Sequence, residues 1–212
     1  MKKFLFVIVF TIVSLGIRAQ GHFVGVKTGV HLTNILSANA TIPSDSRVGF
    51  SGGFSYEYMV RDRFSVGADL LYNQRGFSSN FLIVDGSGNP VGAVTVKYHY
   101  DYLSFPIRGG FYLGKKAFGY GQIGVVPSLL MGSKVIPGSD NPSIHPQEKQ
   151  FDLAGLIELG AGYKLNRVWL SLFAIYQQSF TTFTEYNTFG VTEFRHEGLT
   201  FSIGAKYQLR KL

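Results

Sequence analysis

Leu199-Thr200-Phe201-Ser202-Ile203-Gly204-Ala205-Lys206-Tyr207-Gln208-Leu209 closes the chain with an unbroken alternation. Leu199, Phe201, Ile203, Ala205, Tyr207 and Leu209 face one way, and Thr200, Ser202, Gly204, Lys206 and Gln208 the other. Successive side chains of a strand point to opposite faces, so this period of two predicts a two-sided β-strand and not a helix. Upstream stretches repeat it. Phe64, Val66, Ala68, Leu70 and Tyr72 oppose Ser65, Gly67, Asp69, Leu71 and Asn73. Phe50, Phe54, Tyr56 and Tyr58 oppose Ser51, Gly53, Ser55 and Glu57. Leu153, Ile157, Leu159, Tyr163 and Leu165 oppose Asp152, Glu158, Gly160, Gly162 and Lys164. In the first such stretch Val24, Val26, Thr28, Val30 and Leu32 oppose Gly25, Lys27, Gly29 and His31.

Eight segments follow from this pattern: Phe23–Ile35, Gly49–Val60, Phe64–Arg75, Val94–Leu113, Phe118–Gly132, Phe151–Leu165, Val168–Phe180 and Gly198–Leu209. The connections alternate in length. Arg61–Arg63, Gly114–Ala117 and Asn166–Arg167 are short; Leu36–Arg47, Gly76–Ala93, Ser133–Gln150 and Thr181–Glu197 are long. That alternation sends every long loop to one end of an up-and-down sheet, the form of bacterial outer-membrane barrels with short periplasmic turns. Two details disturb the pattern. Trp169, Phe173 and Ile175 fall on the face expected to be polar, and Pro106 and Pro127 fall inside strands, where proline usually marks a bulge that switches faces.

The N-terminus and composition narrow the compartment. Met1-Lys2-Lys3 precedes an apolar run from Phe4 to Gly16 and a small-residue end at Ala19-Gln20. This is the form of a secretory signal peptide, too short to span a bilayer as a helix. It predicts a leader at 1–19 and a barrel domain at 20–212. Without Lys2, Lys3 and Arg18 the 20 bases fall to 17 against 13 acids, a mature charge of +4. Glycine at 26 of 212 residues, with 15% aromatic and only 16% charged residues, suits strands and tight turns and excludes a disordered or coiled-coil chain. No basic stripe with interleaved aromatics points to nucleic acid. The chain has no cysteine, hence no disulfide, thiolate metal site or lipid-modified N-terminal Cys.

One face carries bulky apolar and aromatic residues, the other glycine, serine and charges. Eight strands enclose a bore only wide enough for side chains, so the glycine-and-charge face is expected inside and the bulky face against lipid. A soluble barrel of lipocalin type would reverse the two. Phe54, Tyr56, Tyr58, Phe64, Tyr72, Tyr163 and Tyr207 lie towards strand ends, as an interfacial aromatic girdle would. The fold class expected is all-β, an eight-stranded antiparallel up-and-down transmembrane β-barrel in the outer membrane, monomeric and embedded in outer-membrane lipid.

Several motifs also resemble those of the PorT-like, or porin-family, outer-membrane barrels of Bacteroidota. Gly25-Val26-Lys27 with Gly29 and Thr33-Asn34 is similar to that family's first strand, and Phe64 to Gly76 to its third, with Asp69 where the family usually has an acid. Tyr102-Leu103-Ser104-Phe105-Pro106-Ile107 resembles its Tyr-Leu-acid-Ile-Pro-Leu motif, Leu159-Gly-Ala-Gly162 its sixth strand, and Ser202-x-Gly204-x-x-Tyr207-x-Leu209 the terminal signal read by the outer-membrane assembly machinery. Ser104 replaces the acid, Ile175 stands where Arg is common, and the chain ends Arg210-Lys211-Leu212. The resemblance implies fold and location; the secretion role of one namesake member does not carry over.

Candidate chemistry is sparse. His31-Leu32-Thr33-Asn34 distantly resembles the His-x-Ser-Asn run of lipid A deacylases, but His31 and Thr33 share the face expected inside. His22, His99, His145 and His196 lack metal-ligand spacing and read as solvated loop residues. Asp85-Gly-Ser-Gly-Asn-Pro90 lacks the acid pattern of a calcium loop and reads as a turn. No enzyme, metal or cofactor is expected. The candidate site is instead an interior charge network of Lys27, Glu57, Asp69, Arg108, Asp152, Glu158 and Lys206, with Arg75 near the outer mouth. Charges of both signs in so narrow a bore must pair. The expected function is a closed structural or interaction barrel whose loops meet an external ligand or partner; a small-solute channel and a lipid-modifying enzyme are the competing readings.

Overall fold

The computed structural model describes residues 21–37, 44–60, 63–136, 149–186 and 192–209; the expected leader, Gln20, His145 and Arg210-Lys211-Leu212 lie outside them. The strands are β1 (Gly21–Ser37), β2 (Ser44–Val60), β3 (Phe64–Val84), β4 (Pro90–Ser104), β5 (Ile107–Gly114), β6 (Ala117–Ile136), β7 (Phe151–Leu165), β8 (Val168–Ser179), β9 (Thr184–Tyr186) and β10 (Thr192–Gln208). Each pairs antiparallel with its neighbours, and β1 pairs β10 from Phe23↔Gln208 to Ser37↔Phe194, closing the sheet. β4 and β5 form one stave interrupted at Pro106, and β9 pairs only the outer end of β10. The ring therefore has eight staves. Closure removes the unpaired backbone edges that hydrocarbon would penalise by several kcal/mol per group.

The alternating faces separate as their sequence requires. Val26, Phe54, Phe64, Val66, Ile157, Leu159 and Ile203 are exposed on the outer wall, while Lys27, Ser55, Ser65, Asp69, Glu158 and Ser202 are buried in the bore. The short connections lie where expected: Lys115-Lys116 joins β5 to β6, Asn166-Arg167 joins β7 to β8, and Arg63 precedes β3. Asn166 takes a left-handed φ of 54°, which asparagine tolerates in tight turns.

Four expectations need correction. The connection at Gly76–Ala93 is not a long loop. β3 and β4 run on as a hairpin, paired from Ser78↔Lys97 to Val84↔Pro90, around a turn at Asp85–Asn89. The apolar, largely β-branched stretches Phe81–Val84 and Val91–Val96 favour strands even beyond the ring. The Asp85 carboxylate accepts from the Ser87 and Asn89 backbone N–H groups at 2.9 Å each; the Asn89 and Ser87 bonds hold its carboxyl below the usual carboxylate range. Strands likewise consume part of the other long connections: β1 extends to Ser37, β6 to Ile136, and β10 begins at Thr192.

Secondly, the prolines do not switch faces. Ser104 and Arg108 flank the β4–β5 break, and Val126 and Ser128 flank Pro127; all four are buried in the bore. The Pro106 carbonyl accepts from the Asp69 N–H and the Pro127 carbonyl from the Phe105 N–H, both at 2.9 Å. Only the donor that proline lacks is lost, and parity survives. Thirdly, the bore is not lined by small and charged residues alone. Phe23, Met59, Tyr112, Phe118, Tyr120, Trp169 and Phe173 pack inside near the short turns. Phe77, Tyr98, Tyr100, Tyr102, Phe183 and Phe194 pack inside near the outer mouth. Trp169, Phe173 and Ile175 thus point inward, and the β8 alternation was regular all along. Fourthly, the described histidines expected in loops lie in strands: His22 in β1, His99, half-buried, in β4, and His196 in β10, which carries it into the outer aromatic cluster, stacked on Phe183 at 4.0 Å between ring centroids.

Rings fit the narrow bore because they lie over inward glycines. A Cβ on Gly160 would stand 2.5 Å from Tyr120 Cε1, and one on Gly162 would stand 2.5 Å from Phe118 Cζ. Gly160→Val is expected to displace Tyr120 and destabilise the barrel by about 1–3 kcal/mol. A lower temperature for the loss of the compact, heat-modifiable band on electrophoresis would register it; an unchanged midpoint would refute the packing argument.

Candidate functional site

The alternation brings all eight expected interior residues into the bore, each 6% exposed or less. Six form one network at mid-height. Lys27 Nζ donates to both Glu158 oxygens at 3.2 and 3.0 Å and stands 3.3 Å from Asp69 Oδ2. Arg108 pairs with Asp69, stands 3.5 Å from Glu57 Oε2, and places Nε 3.7 Å from Glu158 Oε2. Lys206 Nζ donates to Glu57 Oε2 at 2.6 Å. Three cations thus meet three carboxylates, and the cluster is neutral.

Arg75 and Asp152 are not joined to that network. They pair with each other at 2.6 Å nearer the outer mouth. Asp152 also accepts from Ser179 at 2.9 Å and Thr181 at 2.8 Å, and the Arg75 guanidinium donates to Ser128 at 3.0 Å and lies over the Tyr102 ring at 4.5 Å.

Uncharged members escaped the sequence reading. Tyr120 OH donates to Glu158 at 2.9 Å, Lys206 donates to Tyr112 OH at 2.8 Å, and Arg108 Nε donates to Gln122 at 2.6 Å. The parity signal was available, since Tyr112 lies four residues from Arg108 and therefore on its face, and Tyr120 and Gln122 alternate with Gly119, Gly121 and Ile123. They carry no formal charge, so a search for paired charges passes over them.

Above the network lies a void of about 20 Å³ bordered by His31, Ser51, Asp69, Asn73, Glu158 and Thr200. That is room for about one water. His31 Nδ1 and Asp69 Oδ1, two buried atoms without a protein hydrogen bond, belong to residues of its lining. His31 and Thr33 both point inward, and the Thr33 hydroxyl both donates to the Gly76 carbonyl at 2.8 Å and accepts from its N–H at 2.9 Å. His22 is on the opposite rim, its ring 2.7 Å from Tyr56 OH. The arrangement is a polar layer between two aromatic ones, and its ion pairs tie strands together across the bore.

Comparison with known proteins agrees with this architecture. A family model described as "Outer membrane protein beta-barrel domain" matches residues 18–185. No curated protein sequence matches the chain. Among solved structures the chain is similar to Neisserial surface protein A, NspA, with 14% identity and a TM-score of 0.50 over 90% of this chain and 99% of that one. It is also similar to the outer membrane protein OprG from Pseudomonas aeruginosa, with 14% identity and a TM-score of 0.51 over 91% of this chain and 98% of that one. At such identity the likeness is one of fold.

Removing one member of a buried pair leaves an uncompensated charge, at a cost of about 3–5 kcal/mol. Asp69→Ala takes from Arg108 its direct partner and leaves Lys27 only Glu158, and Glu158→Ala leaves Lys27 only Asp69 and frees Tyr120; either leaves three cations facing two carboxylates, so both should lower the unfolding midpoint in urea. A midpoint within error of the unsubstituted protein would mean that water reaches the network.

Proposed function

The chain belongs to the outer membrane protein beta-barrel domain family, and from that premise and its occluded bore we propose a non-conducting outer-membrane barrel that acts by contact rather than transport. The observation that carries this reading is the mid-height ion-pair layer, with a residual void of about 20 Å³ and aromatic layers on either side. Eight staves enclose too little space for a water column once side chains fill it; aqueous channels use about sixteen. The β3–β4 hairpin supplies the contacting surface. Its outer end carries exposed Leu82, Ile83 and Val91 well beyond the apolar band that ends near Tyr72 and Leu103. Exposed apolar residues away from lipid favour a protein or other external partner.

The remaining parts of the reading are of a piece with this. Residues 1–19 serve as a cleaved leader, the mature protein is a monomer, and its β10 strand is the element recognised during outer-membrane assembly. Tyr102 to Ile107, with its mid-stave proline, supports a position among the PorT-like members. No lipid-modifying activity is assigned, since His31 and Thr33 face the bore and not the lipid that such an enzyme would attack.

Two measurements test the reading. The protein refolded in planar bilayers should give no stable, ion-selective openings; regular conductance steps would favour a small-solute channel. Because the chain lacks cysteine, single substitutions report topology cleanly. Ser87→Cys at the hairpin tip should react with a membrane-impermeant maleimide on intact cells, and Lys115→Cys only after the outer membrane is opened. The reverse pattern would invert the barrel.

A further inference from the structure

The charges left outside the bore are divided unequally between the two ends. At the short-turn end the described residues contribute Arg63, Lys115, Lys116, Lys164 and Arg167, with no acid outside the bore. They come from three turns far apart in sequence that closure gathers into one rim. At the other end acids and bases interleave: Asp101 faces Arg47, which also lies two residues from Asp45, Lys97 lies on the same strand as Asp101, and Glu193 pairs with Arg195 at 3.1 Å. The rim is thus strongly positive, whereas the bore and the outer end are near balance.

The height of these cations identifies what they meet. Lys116 Nζ lies 5.4 Å from the centroid of the outward Tyr163 ring, and Arg167 donates to the outward Tyr207 hydroxyl at 3.4 Å. Lys164 lies over Trp169 at 4.0 Å and caps the mouth. The basic groups are therefore level with the aromatic residues that mark the headgroup layer. Turns of two or three residues give them no reach beyond it. A cell wall standing off the membrane is out of range; phosphate in the adjoining leaflet is not.

We propose that this rim binds the anionic phospholipid headgroups of the periplasmic leaflet, anchoring the barrel at that face. The proposal rests on the orientation given above. Each lysine or arginine near an anionic surface adds attraction that salt screens within a Debye length.

The test uses the leaderless chain 20–212 refolded in phosphatidylcholine vesicles, with spin-labelled phosphatidylglycerol or phosphatidylcholine as probe. Phosphatidylglycerol should be preferred about fivefold at low salt, with the preference falling towards one in 1 M NaCl. The variant R63Q/K115Q/K116Q/R167Q changes only exposed side chains and should lose the preference while staying heat-modifiable. Equal association of the two probes at low salt overturns the proposal, and the salt titration of the unsubstituted chain decides it even if the variant fails to fold. Co-sedimentation with peptidoglycan that the variant loses, without lipid preference, overturns it in favour of the wall. A lipid preference combined with surface labelling of Lys115→Cys overturns the leaflet assignment and points to lipid A phosphates; failure of the contact function leaves the lipid result unaffected.

Discussion

A charge sealed inside an eight-stave barrel has no bulk water to turn to, so each must be answered by another side chain. Lys27 on β1, Glu57 on β2, Asp69 on β3, Arg108 on β5, Glu158 on β7 and Lys206 on β10 answer one another across the bore. Six staves are tied by contacts that the backbone ladder cannot make, because the ladder joins neighbours only. The network also guards register. A slip of one residue would turn its strand's charge into hydrocarbon and an outer-wall apolar residue into the polar layer.

The aromatic layers make that electrostatic centre effective. Rings stacked from Tyr112 to Tyr120 at 4.9 Å, with Phe118 and Trp169 beside them, shut out solvent from the turn end. Tyr100, Phe183 and His196 do the same towards the outer mouth. Lower polarity strengthens each ion pair and raises the penalty for an unpaired one, so aromatic sealing and charge pairing reinforce each other. The same packing makes the barrel a rigid base for the β3–β4 hairpin.

The two ends of the barrel differ in chemistry because they differ in loop length. Short turns hold their side chains level with the outward rings of Tyr163 and Tyr207. The β3–β4 hairpin carries exposed Leu82, Ile83 and Val91 well past the ring of eight staves. One topological rule, short connections at one end and long at the other, thus produces both a compact basic rim and a projecting apolar hairpin.

The sequence by itself determined the barrel wall. Period-two alternation from Val24 to Leu209 settled which residues face lipid, and short and long connections settled the up-and-down order, because both are local properties of an extended chain. Parity also placed Lys27, Glu57, Asp69, Arg75, Arg108, Asp152, Glu158 and Lys206 inside. Only the tertiary structure decided who pairs with whom: Arg75 with Asp152, apart from the other six, depends on stagger between staves, which no single strand encodes. Likewise Trp169 and Phe173 looked misplaced until Gly160 and Gly204 opposite them made room, and His196 looked solvated until β10 was seen to begin before it. Whether a large ring or a lone imidazole fits inside depends on the volume left by strands distant in sequence, and that volume exists only once the sheet has closed.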